Sequence, residues 1–149
     1  MAANTISIRG SSVFGLNDQM ALKVPVAVIQ DQQHVLTSAL IDSGAQGNFI
    51  HEDLARNFYT DTLPSQVTVT NINGTENAAG TIRQITYLKI LMDDHPFYIQ
   101  AYVTNLGPTS LILGDPWLRE VNPKIDWARR QITFTRRHLP RYHPAKDHL

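Results

Sequence analysis

The feature that most restricts this chain is an apolar run that ends on an acid: Ala39-Leu40-Ile41 leads directly into Asp42-Ser43-Gly44-Ala45. Residues 35–41 read as a buried strand, and the Asp-Ser-Gly that follows places a carboxylate on a tight turn at its mouth. A lone acid at the end of a buried strand is costly unless it is paired or has a chemical role. Three turn-forming residues also occur together by chance, so an ordinary strand-ending turn is the alternative, and the surrounding chain has to decide between them.

The surrounding pattern is that of strands. Leu22, Val24, Val26 and Val28 alternate with Lys23, Pro25, Ala27 and Ile29, a period of two. The polar residues 30–33 supply a turn, so this strand and residues 35–41 form a hairpin whose outgoing arm delivers Asp42. Gly44 and Gly47 bracket the acid turn. A short helical piece is expected over residues 51–58, where Glu52 and Asp53 suit a first turn. Val67 and Val69 alternate with polar neighbours before Asn73-Gly74, a strong hairpin-turn signal. Strand patterns resume over residues 82–92 and 97–103, with Asp93-Asp94 as a solvated turn between them. Leu111-Ile112-Leu113 is a short buried strand ended by Gly114. Asp115 is a candidate helix cap, Pro116 fits the first helical position, and Asn122-Pro123 stops the helix. Many strands with one late helix predict an all-β or mainly β domain rather than the alternating rhythm of a nucleotide fold.

Composition sets the outer limits. A chain of 149 residues that is 42% hydrophobic fits one domain with a genuine core. The absence of cysteine excludes disulfide and thiolate chemistry. No apolar run is long enough to cross a membrane as a helix, and no membrane partner is expected. The protein reads as soluble and intracellular. Net charge is zero but divided: residues 1–128 carry seven Lys or Arg against twelve Asp or Glu, and residues 129–149 carry six against one. The expected organisation is a flexible lead over residues 1–19 with a strand near Thr5 to Ile8, one domain over 20–135 and a basic tail over 136–149. The tail lacks a regular basic stripe, so nucleic acid is not expected as a partner except weakly through it. His138, His143 and His148 lie in that tail without a matching acid, and no metal site or cofactor is expected.

Residues 39–50 around Asp-Ser-Gly-Ala, the Asn73-Gly74 turn, residues 111–118 and the run Asn122-Pro123-Lys124-Ile125-Asp126-Trp127 with Ile132-Thr133-Phe134 occur in one order. In these pieces the chain resembles the retroviral-type (retropepsin) aspartic proteases of gypsy-type long-terminal-repeat retrotransposons or their domesticated derivatives. The resemblance implies a closed barrel with a flap hairpin and one short C-terminal helix. It also implies an aspartic endopeptidase acting on a Gag-Pol-like polyprotein. Asp42 would be the catalytic acid, with Ser43, Gly44 and Ala45 supporting its loop and Leu113 and Gly114 packed behind it. Asn48, Ile72, Asn73 and Gly74 would lie beside substrate, the last three on the flap.

The chemistry fits one further requirement. Hydrolysing an amide without a metal or a covalent intermediate takes one group to accept a proton from water and another to give one to the carbonyl oxygen. Two carboxylates sharing a proton do both. The chain holds one Asp-Ser-Gly, and Asp126 lacks the hydroxyl-glycine turn, so a dyad needs Asp42 from two copies, a homodimer holding an extended peptide. Serine hydrolysis through Ser43 lacks the G-x-S-x-G elbow. The other expectation is a catalytically silent domain, retained for dimerisation or peptide binding.

Overall fold

A computed structural model describes residues 5–9, 11–16, 19–69 and 80–135. Eleven strands and two short helices are present among them: β1 (Thr5–Arg9), β2 (Ser11–Leu16), β3 (Gln19–Gln30), β4 (Gln33–Ile41), β5 (Phe49–His51), α1 (Glu52–Ala55), β6 (Asp61–Val69), β7 (Gly80–Met92), β8 (His95–Thr104), β9 (Leu111–Leu113), α2 (Asp115–Val121), β10 (Lys124–Asp126) and β11 (Gln131–Thr135). The eight-stranded sheet runs β2-β3-β4-β9-β5-β8-β7-β6, and an extra pairing of β3 with β7 closes six of its strands into a barrel. Closure uses Ala27↔Leu91, Val28↔Ile90 and Ile29↔Lys89.

The alternation expected for β3 sorts its residues as a barrel wall requires. Leu22, Val24, Val26 and Val28 are buried in the core, and Lys23 and Pro25 are exposed. β9 is inserted between β4 and β5, parallel to the first and antiparallel to the second. This buries all three of its residues, as their apolar run predicts. A second sheet, β1-β11-β10, is antiparallel throughout. It joins the barrel core through Phe97, whose ring meets Trp117 of α2 and Phe134 of β11 edge-on at 5.5 and 5.3 Å.

Two expectations are corrected here. The lead, expected to be flexible apart from a strand near residues 5–8, contains that strand as β1, paired along all of β11, and a second one, β2, which pairs with the first half of β3. Both strands cover edges that would otherwise present unpaired backbone groups, a drive that acts regardless of local polarity. At α2 the cap is Gly114 rather than Asp115; Asp115 sits in the first turn and pairs with Arg119 at 2.7 Å. Asn122 ends α2 in the left-handed conformation, φ 50°, and Pro123 follows. Ile72, Asn73 and Gly74, the expected flap tip, lie outside the described residues, as does the basic tail. The arms of that hairpin are present as β6 and β7, paired as far as Val69↔Gly80.

A side-chain clamp fixes the loop after α1 to the barrel. The buried Gln30 amide donates from Nε2 to the carbonyls of Tyr59 and Tyr87 at 3.2 and 3.0 Å and to Thr86 Oγ1 at 3.1 Å, and its Oε1 accepts from Tyr59 N. Gln30→Leu leaves the Tyr59 amide and the Tyr87 carbonyl without this partner, and is expected to cost about 2 kcal/mol or more in urea unfolding. The β7–β8 connection is a two-residue turn in which Asp93 and Asp94 both take positive φ, 52° and 67°. Replacing them with Asn-Gly, which suits that conformation, is expected to stabilise the fold by about 0.5–1 kcal/mol in the same assay.

Candidate active site

Asp42 follows the last core residue of β4. Its N–H donates to the carbonyl of Leu113 at 3.0 Å, which ties the start of the acid turn to the end of β9. The turn closes locally: Ala45 N donates to the Asp42 carbonyl at 3.1 Å, and Gly44 N donates to Asp42 Oδ1 at 2.9 Å. That second bond aims a backbone donor at one carboxylate oxygen and orients the acid. Ser43 and Gly44 are exposed, and Asp42 and Ala45 are half-buried. Among the described residues the Ser43 hydroxyl has no protein partner, so this end of the turn faces outward.

The rear of the turn is held by Leu113, Gly114 and Asp115. Asp115 N donates to the Ala45 carbonyl at 2.8 Å. A Cβ on Gly114 would lie 2.2 Å from the Gly47 carbonyl oxygen and 2.6 Å from that of Ala45. Glycine is needed here because two backbones touch where a side chain would stand.

Asn48, expected beside substrate, is instead turned inward and is 6% exposed. Its Oδ1 accepts from Gly114 N at 3.0 Å and its Nδ2 donates to the Gln100 carbonyl at 3.4 Å. The primary amide offers one acceptor and one donor, and the gap between β8 and β9 presents one of each. Asn48 therefore positions the acid turn from behind. Its place one residue before the buried pair Phe49-Ile50 was the available sequence signal for an inward role.

By strand alternation Leu40 shares the face of β4 that carries Asp42. Leu40, Phe49, Leu106 and Ile112 form a small apolar cluster on this face, separate from the main core. Ile82 is buried in the cluster, while Leu63, Val67 and Tyr102 pack against it partly buried, so both arms of the β6–β7 hairpin lie over the ground beside the acid. Phe49 and Tyr102 meet at 5.9 Å between ring centres, tilted by 39°. Among the described residues no group of three or more His, Cys, Asp or Glu could hold a metal ion.

A solved structure shares this architecture, and two further ones are similar at lower scores. A retropepsin-like aspartic protease from Rickettsia conorii is similar with a TM-score of 0.50 and 16% identity, over 87% of this chain and 89% of that one. The retroviral protease-like domain of Ddi1 from Leishmania major gives 0.48 and 20% over 70% and 81%, and EIAV protease in complex with the inhibitor HBY-793 gives 0.46 and 18% over 70% and 90%. A family model described as the PEG10/RTL1 protease domain matches residues 38–142, a span that includes the acid turn, β9 and α2. On that match the chain belongs to the PEG10/RTL1 protease domain family, the retropepsin-like protease domains of domesticated gypsy-type retrotransposons.

Proposed function

We propose that this protein is an aspartic endopeptidase that works as a homodimer, with Asp42 of each copy supplying half of the catalytic pair. The observation that supports this reading is the Asp42 turn: an acid oriented by the Gly44 amide and braced from behind by Leu113 and Gly114, with Ser43 and Gly44 exposed. Two such turns meeting on a twofold axis bring like charges close enough that one carboxylate stays protonated. The ionised one takes a proton from water as the water adds to the peptide carbonyl. The protonated one gives its proton to the carbonyl oxygen. The acid that took water's proton then passes it to the amide nitrogen as the C–N bond breaks, while the other carboxylate recovers a proton from a diol hydroxyl. This releases a carboxylic acid and an amine with the pair again sharing one proton. The Ser43 hydroxyl, without a partner among the described residues of its own copy, would bond across the axis. A peptide would lie extended under the hairpin arms as an added strand, beside Leu40 and Ile112, in a Gag-Pol-like polyprotein in the cytoplasm or in virus-like particles.

The cover over the apolar cluster supports a second reading. Leu40 and Ile112 are 3% and 0% exposed, because the hairpin arms fill the space beside the acid. A domain that keeps this closed would bind or dimerise without cutting. Cleavage of peptides spanning polyprotein junctions, from mildly acidic to neutral pH, separates the two. Internal cuts by the wild type are expected, whereas folded dimers that cut nothing would favour the silent domain.

A further inference from the structure

The outside of the barrel carries a patch with no part in the chemistry above. Residues directly opposite in antiparallel strands share a face, so Leu36, Ala27, Leu91 and Pro96 form one row across β4, β3, β7 and β8. The neighbouring row of opposite parity, including Val28, Ile90 and Phe97, points into the core and is 0% exposed. The outer row is just as apolar; Ala27 is buried and Leu91 and Pro96 are half-buried, but Leu36 stands 78% exposed, the most exposed large hydrophobic among the described residues. Pro25 is exposed and Ile29 half-buried on the same face of β3.

The strand beneath Leu36 is also open along one side. β4 pairs with β3 over its whole length but with β9 only from Ala39 to Ile41, and no described strand pairs with the far side of residues 33–38. Three of the other open edges are blunted. β6 carries Asp61, Pro64 and a register shift, β10 is three residues long with Lys124 and Asp126, and the register of β2 breaks between Val13 and Leu16. Residues 33–38 hold no Asp, Glu, Lys, Arg or Pro, and their register with β3 is unbroken. An unprotected edge next to an exposed leucine is a template for another strand.

We propose that residues 33–38 dock an extended, uncharged segment of the protein substrate, remote from the bond to be cut, as a strand added beside β4 with an apolar side chain on Leu36. This rests on the protease reading. A second copy is a poor occupant, because the patch is a handful of side chains where a stable dimer uses about 20–30 residues a side. Leu36 also lies six residues before Asp42 on β4, about 20 Å along the strand, so copies meeting at Asp42 leave this edge free. Residues 33–38 carry no Lys or Arg, and the two lysines at either end of this face, Lys23 opposite Leu40 and Lys89 opposite Ile29, are too few for nucleic acid or an anionic membrane to hold. Positions 36, 38, 40 and 42 share a face, so a substrate held at this edge is tethered to the strand that ends on the acid, which raises its local concentration at the cleft.

The test uses short random peptides selected for binding to the Asp42→Asn protein. Peptides alternating apolar and polar residues without charge are expected to emerge, to slow amide hydrogen exchange in residues 33–38, and to lose about tenfold or more in affinity to Leu36→Lys, which alters only an exposed side chain. Fusing such a peptide by a flexible linker to a cleavable peptide should lower the wild-type KM about tenfold with kcat unchanged. Leu36→Lys should remove that gain and leave cleavage of the unfused peptide as it was. Selected peptides that protect only the acid turn and hairpin arms, or that bind Leu36→Lys equally well, would overturn the proposal. Peptides that bind at residues 33–38 as described while neither fused nor unfused substrate is cut would uphold the docking edge and overturn the protease reading instead.

Discussion

Asp42→Asn is expected to lower kcat/KM for peptide cleavage by at least about a thousandfold while leaving the fold intact. The substitution keeps the shape of the side chain and an oxygen able to accept from Gly44 N, so the turn that now holds Asp42 Oδ1 at 2.9 Å can persist. What disappears is the shared proton. Two amides facing each other can neither accept a proton from water nor give one to a carbonyl oxygen, and the pair loses both functions at once. Peptide kinetics and the thermal unfolding midpoint, measured on the same preparations, check the two halves of the claim. Lost activity with an unchanged midpoint assigns the effect to chemistry, and a collapse in both would assign Asp42 a structural role.

Gly114→Ala is expected to produce the largest loss of stability of any single methyl added to the described residues near the site, about 3 kcal/mol or more. The added carbon would meet the carbonyl oxygens of Gly47 and Ala45 at 2.2 and 2.6 Å, and both are backbone atoms that cannot swing aside. To admit it, the acid turn must move away from the end of β9. That movement pulls on the Asp42 N to Leu113 O bond and on the bond from Gly114 N to Asn48 Oδ1. Cleavage should therefore fall along with stability, because the carboxylate is aimed by the turn that shifts. Urea unfolding of the variant checks the first effect, and a midpoint equal to that of the wild type would mean that the turn does not rest on Gly114 as described.

What the sequence made legible was local. Alternation placed β3, the apolar run placed β9, Pro116 and Asn122-Pro123 bounded α2, and Asp-Ser-Gly marked the acid turn, because each signal lies within a few residues of what it determines. The parts it hid depend on partners far along the chain. β2 has little pattern of its own, and although a strand is expected near residues 5–8, nothing local shows that its partner is β11, more than a hundred residues later. The same holds for the pairing of β3 with β7 that closes the barrel. Asn48 looked like a substrate contact because it is a polar residue close to an acid. Its inward role depends on the Gln100 carbonyl and the Gly114 amide, which no spacing within the acid turn reveals. Gln30 likewise read as part of a polar turn, and only the approach of Tyr59 and Thr86 turns it into a clamp.

The central claim is that one active site is built from two copies of Asp42, and mixing wild type with Asp42→Asn tests it most directly. At a fixed total concentration where dimers form and exchange, every mixed dimer holds one acid and one amide, so the rate should fall with the square of the wild-type fraction, to about a quarter at equal amounts. A rate that falls only in proportion to the wild-type fraction, to about half at equal amounts, would mean that each copy cuts without its partner's acid, and would contradict the shared pair.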